Sequence, residues 1–400
     1  MNRKQVVITG IGLVSALGEG PDAHWDALSA GASPVVDETS FAPWSVHPLP
    51  ALSLDKQIPK KGDQRQMEPW QRLGTYAAGL AIDDAGARDL VADMHLIVAA
   101  GGGERDFALD EQVNAELAHA NDPAQAGARL NELLSTGLRP TLFLAQLSNL
   151  LAGNISIVHG VTGSSRTFMG EEAAAADAVR IAHARLAEGR GEIALVGGAL
   201  TAQRWDVLLL YRAGGGVWDG PHKPLSDRLA SGGGMIFGGM SGFLVLETEE
   251  HAQARGARVL ARLDAVATDA SHRAAPGDSA AAARALLSRV APEGVDAVIS
   301  GATGTAAAWA EEEAFLREVK APFRRPANLI GHGVEGAFTA HVALAALALS
   351  RGGFYAPMDP ADAGEAPSPD RILVTGFGQW RGEALAVLSR PSSSRKAENA

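Results

Sequence analysis

The chain of 400 residues contains no cysteine. That absence excludes disulfides, thiolate metal sites and any reaction that begins from a cysteine thiolate. Aromatic residues are scarce, at 5% of the sequence, whereas alanine and glycine are abundant, a composition suited to helices lying close on a sheet. No apolar run approaches the ~20 residues needed to cross a bilayer; the longest candidate, 342–349, is mostly alanine and leucine. The apolar start VVI breaks at Thr9 and Gly10, too early for a signal peptide, so a cytoplasmic location is expected. Positive charge is in deficit, with a net charge of −11, which argues against a nucleic-acid partner. Two local basic clusters stand against that background: Lys60, Lys61, Arg65 and Arg72, and Arg317, Lys320, Arg324 and Arg325. Either is an ordinary solvated face or a landing place for an acidic protein.

What is present is a regular alternation. Short apolar strands are expected at 6–8, 96–100, 193–196 and 242–247, with helices at 70–85 and 171–186 and a shorter one opened by Pro21 and Asp22. Residues 144–157 read as a helix running into a strand. The second half repeats the grammar: strands at 259–265, 295–300, 372–375 and 384–388, helices at 279–290 and 337–349. Alternating strands and helices imply an α/β fold with largely parallel sheets. The seam falls near 248–258, which divides the chain into 1–250 and 251–388, followed by a polar tail, 389–400, expected to be disordered.

One segment is more specific. Residues 163–199, GSSRTFMGEEAAAADAVRIAHARLAEGRGEIALVGGA, read as strand, tight turn, helix and buried strand. This resembles the nucleophile segment of β-ketoacyl-acyl-carrier-protein synthases. VVITGIGLVSALGEGPDAHWDALSAG resembles that family's opening strand, loop and helix, and SNLLAGNISIVHGVTGSS its approach to the nucleophile. LVLETEEHAQARGARVLARLDAVATDASH is similar to its link between halves, and IGHGVEGAFTAHVALAALAL to the segment carrying its second histidine. The resemblance implies a thiolase-like, duplicated α-β-α-β-α five-layer fold, an acyl carrier protein as partner, a dimer and no cofactor. The wording TGSSRTFMGEE and GGGERD looks more like the unusual synthase-like subunits of alphaproteobacterial systems that make very-long-chain acyl groups for lipid A.

Carried over by position, the family's nucleophilic cysteine becomes Glu172, its first histidine Gly301, its lysine Ala327, and its second histidine remains as His332. Chain extension needs a thiolate at a helix N-terminus and donors for the enolate-like charge that develops as malonyl carboxylate leaves. Three of those four groups are replaced. Glu171 and Glu172 read most simply as residues that match the charge of a helix start; a decarboxylase-like role or a plug in the former acyl site is the sharper alternative. His332 sits in a glycine-rich loop, where a histidine often just bonds backbone carbonyls. His332, Glu335 and His341 lack any recognised metal-ligand spacing, so no metal is expected. The resemblance places the dimer contact over 142–157 and 166–169, and makes Phe143, Gln146 and Met169 candidates for lining an acyl tunnel, or else plain core residues.

Two weaker patterns are set aside. Gly10-Ile11-Gly12 imitates a dinucleotide fingerprint, but Ser15 stands at its third glycine. No Gly-x-Ser-x-Gly hydrolase turn occurs. Two functions remain. In one, the chain is a non-catalytic subunit beside a cysteine-bearing synthase, much as chain-length factors pair with polyketide ketosynthases. In the other it is a homodimeric enzyme with altered chemistry, using Glu172 and His332 for malonyl decarboxylation or acyl transfer.

Overall fold

Ten strands carry the architecture, and their order is the same pattern written twice. The computed structural model describes residues 3–391 apart from 271, 363 and 381. In the first half the strands are β1 (Val6–Ser15), β2 (His95–Ala99), β3 (Ser165–Phe168), β4 (Ile193–Leu200) and β5 (Met240–Thr248). They lie in the order β1-β5-β4-β2-β3, two antiparallel pairings followed by two parallel ones. In the second half they are β6 (Ala261–Asp269), β7 (Ala297–Ile299), β8 (Phe323–Arg324), β9 (Arg371–Phe377) and β10 (Glu383–Ser389). Their order, β6-β10-β9-β7-β8, repeats the first with the same senses. Antiparallel pairing of β1 with β6, Val7 opposite Arg262 and Ile8 opposite Ala261, joins the two sets.

The principal helices are α1 (Pro69–Asp84), α2 (Phe107–Leu117), α3 (Pro123–Gly137), α4 (Leu150–His159), α5 (Glu171–Ala187), α6 (Asp278–Val290), α7 (Ala306–Val319) and α8 (Ala337–Arg351). Helices α5 and α8 form the middle layer, in one apolar cluster with strands of both halves. Their composition explains this. A helix between two sheets has no wet face, and α8 is buried from Ala337 through Leu349. In α5 a run of alanines keeps the layers close. Helices α1 and α4 cover the outer face of the first sheet, and α6 and α7 that of the second. The result is the thiolase-like five-layer arrangement.

The glycines of β1 serve this packing. A Cβ on Gly10 would stand 2.3 Å from the Ala81 carbonyl oxygen, and one on Gly12 would stand 1.9 Å from that of Ala77. The face of β1 that both glycines present is therefore filled by α1.

Several expectations are corrected. Residues 155–157 belong to α4 and not to a strand; the edge strand is β3, further on. The exposed helices α2 and α3, and α7 in the second half, carry no clear signal in the sequence reading. Ser389 ends β10, and Arg390 Nε donates to the Pro369 carbonyl at 3.0 Å, so the tail begins later than 389; residues 392–400 lie outside the described residues. The second basic cluster also dissolves. Arg324 and Arg325 are buried, and Arg325 pairs with Glu313 and Asp362 between the rings of Trp309 and Phe323. Among the described residues no helix is long and apolar enough to cross a membrane.

Candidate active site

Strand β3 ends at Phe168, and the chain turns through Gly170 (φ 132°) into Glu171, a non-glycine residue at φ 52°. A left-handed residue of this kind costs ~1–3 kcal/mol and persists only where surroundings impose it. The turn delivers Glu172 inward at the first turn of α5. From the loop before α8, His332 comes to meet it, with its backbone fixed on both sides: its N–H donates to the Ile236 carbonyl at 2.9 Å, and its carbonyl accepts from Gly238 N–H at 3.0 Å. His332 Nε2 and Glu172 Oε1 are 3.0 Å apart, with side chains 3% and 11% exposed. The two residues are 160 positions apart in sequence.

Burial alone would raise the Glu172 carboxyl. The hydrogen bond and charge of His332, with the backbone N–H groups of Glu172 and Gln379, outweigh it and hold the carboxyl below its ordinary value. The pair thus favours a carboxylate. Two further buried groups adjoin it. His341 is pushed down to about 3, by burial and then by charge on His332, and its Nε2 has no hydrogen-bond partner. Glu335 is pushed up to about 7, chiefly by burial, with the charge on Glu172 adding to it against its own backbone N–H.

Glu172, His332 and His341 face a cavity of about 420 Å³ between α5 and the second-half strands. Met169 and Gly301 also border it. Gly301 has no room for a side chain there: a Cβ would stand 2.3 Å from the Thr375 carbonyl oxygen, and its N–H donates to Thr375 Oγ1 at 3.0 Å. Ala327 does not border the cavity; it packs with Leu225 and Ala302. A second cavity, of about 390 Å³, lies on the other side of the α5 start, bordered by Glu171, Glu335, Arg204 and Gly101–Gly103. Gly101 makes room for the Glu335 carboxyl, since a Cβ would come within 2.6 Å of it. Arg204 holds this wall, with contacts to Gly103, Glu104 and Asp206.

Of the expected tunnel residues, Met169 borders the first cavity; it is 64% exposed and its sulfur accepts from Ser148 Oγ at 3.1 Å. Phe143 is 71% exposed, and Gln146 is exposed with its Nε2 donating to the Glu104 carbonyl. Within one chain, neither is core. Sequence reasoning gave Glu335 and His341 no role beyond rejected metal ligands, and among the described residues no cluster suits a metal.

Chemically, the site offers a carboxylate hydrogen-bonded to an imidazole, where a condensing reaction would need a thiolate and two donors. Proteins of known structure share this fold. The solved structure described as the ishigamide ketosynthase/chain length factor superposes with a TM-score of 0.78 at 23% identity, covering 98% of this chain and 100% of that one. A β-ketoacyl synthase from Burkholderia phymatum gives 0.76 at 20% identity, over 97% and 100%. By sequence, 3-oxoacyl-[acyl-carrier-protein] synthase 2 of Vibrio harveyi is 28% identical over 295 residues, 70% of this chain and 66% of that synthase. The match thus spans just under two thirds of that relative. The tetracenomycin polyketide synthase ketoacyl synthase beta subunit of Streptomyces glaucescens is 28% identical over 369 residues, 86% of this chain and 85% of the subunit. Residues 3–252 match the sequence model of the family described as β-ketoacyl synthase, N-terminal domain, and the chain belongs to the β-ketoacyl synthase family.

Proposed function

We propose that the chain is a non-condensing ketosynthase-fold subunit of long or very-long-chain acyl elongation, working beside a cysteine-bearing synthase and shaping the acyl tunnel. The observation that carries this reading is Glu172 at the turn into α5, locked to His332. A carboxylate there cannot carry an acyl chain as a thioester. It also opposes a malonyl carboxylate: at 4–5 Å and an effective dielectric near 20, the repulsion is roughly 3–4 kcal/mol. Gly301, with no space for a histidine, removes one donor as well. Phe143, Gln146 and Met169, exposed in the single chain, would then complete a tunnel only against a partner, and the interface would comprise 142–157 and the free edge of β3. The acidic carrier protein would dock chiefly on the partner.

A second reading rests on the same hydrogen bond. A Glu–His pair facing a cavity can move a proton, which suits acyl transfer or decarboxylation by a homodimer. Elongation of a radiolabelled acyl-carrier substrate with malonyl-carrier separates the two. The subunit reading expects activity only with a cysteine-bearing synthase present, surviving Glu172→Ala here and lost when the partner's cysteine is replaced. Turnover by the isolated chain, abolished by Glu172→Ala or His332→Ala, would sink it.

A further inference from the structure

Strand β3 is the end strand of the first-half order: one side pairs with β2, with Arg166 in register with Ile97, and the other has no partner strand among the described residues. An open edge of this kind is a template for strand addition. Around it the surface is apolar, with Phe143, Ile157 and Met169 each more than 60% exposed.

The unmatched charge at this edge has one sign. Arg166 projects from β3 and is exposed; Arg185 on α5 is half-buried beside it, with Arg190 just beyond. Arg190 is matched by Glu188. Arg166 and Arg185 have no carboxylate at ion-pair distance among the described residues; Arg185 makes a hydrogen bond to Ser164 Oγ at 3.1 Å, while its Nε is buried without a partner. Burial, and then the charges of Arg166 and Arg190, lower the affinity of Arg185 for its proton. The edge therefore holds two guanidinium groups that lack compensation among the described residues.

Consider a second copy added across this edge. Two identical antiparallel strands related by a two-fold axis perpendicular to the sheet place each residue and its copy on the same face. For a strand of four residues, Arg166 then falls directly opposite its copy or one diagonal step away, roughly 4.5–8 Å between side-chain origins. Each Arg185 follows from the same side. Self-pairing thus concentrates four uncompensated positive charges along one axis, and like charges directly opposite each other oppose pairing.

We infer that the edge of β3 is built for a second synthase-fold chain that is not a copy of this one, and that presents a carboxylate opposite Arg166. This rests on the reading of that edge as the subunit interface. The arginines act as a filter: attraction to an acidic partner strand, repulsion of self.

The test uses the full chain and a charge-reversed copy as surrogate partner. Differently tagged wild type and Arg166→Glu are mixed, and masses are read by sedimentation velocity alongside each alone, with circular dichroism to establish that the variant is folded. The wild type alone should associate weakly, and the 1:1 mixture should pair roughly tenfold or more tightly. Salt should move the two in opposite directions between about 50 and about 500 mM: wild-type self-association strengthens as repulsion is screened, and mixed pairing weakens. Arg166→Gln should fall between. A wild-type homodimer that is tight and indifferent to salt overturns the inference, as does a folded variant that gives no mixed species. Neither result touches the non-condensing role, which fails separately if the isolated chain elongates acyl groups.

Discussion

Each half of the molecule presents its central helix through the same device, and the two outcomes are opposite. At the first residue of α5 the left-handed residue is Glu171 (φ 52°) and the next is Glu172; in the turn before α8 it is Val334 (φ 40°) and the next is Glu335. Each half thus sets a glutamate directly after a left-handed residue at the approach to its central helix, facing inward. Glu172 meets a histidine and is held as a carboxylate. Glu335 meets no histidine and is raised to about 7 by burial, with the charge on Glu172 adding to the push. Like backbone does not dictate like charge; one hydrogen-bonding neighbour decides it.

The largest effect that would break this contrast is at Glu335. Its pKa in the folded chain lies above the ordinary value, so its contribution is full below that value and lost as pH rises through about 7. Glu335→Gln should leave stability near pH 4 unchanged and raise it at pH 8, by up to ~3 kcal/mol. Melting temperatures across pH check this; an equal gap at both ends would refute it. Glu172→Gln should behave in the reverse sense. A depressed carboxyl stabilises above its ordinary value and loses that contribution as pH falls through its lowered one, so the variant should be less stable by ~2 kcal/mol near pH 7 and equal to wild type in strong acid. Denaturant titration at both pH values reads the difference. The smallest effect concerns the turns themselves. Glu171→Gly relieves the left-handed strain and one nearby negative charge, and should stabilise by ~1 kcal/mol. Val334→Gly relieves the same strain but deletes a side chain only 2% exposed, worth ~1.5–3 kcal/mol, and should come out destabilising. Stabilisation by both would mean that strain outweighs packing at this turn.

Much of the fold was legible because burial leaves a mark in sequence. The apolar runs at 96–100, 193–196 and 242–247 and the alanine-rich helices lie close to where they were expected, since strands and helices in the middle layers have no wet side to disguise. Residues 155–157 failed because a short apolar, β-branched run fits a buried helix as well as a strand. Helices α2 and α3 escaped because they bury little: Leu109 and Leu133 are their buried side chains. Of the site, resemblance set Glu172 and His332 side by side as a candidate pair, but the hydrogen bond that joins them was not readable, because no local pattern links residues so far apart. Glu335 was harder still: periodicity marks apolar burial, and a buried carboxyl looks like a surface one.

The tight seating of Gly301 also bears on how this chain relates to its condensing relatives over time. Any side chain there runs into the Thr375 carbonyl, so a histidine at 301 is not reached by one substitution, since the end of β9 must give way first. A cysteine placed at 172 in isolation would yield a thiol without that donor. On the non-condensing reading proposed above, the barrier to regaining condensing chemistry would then lie in the backbone more than in the nucleophile.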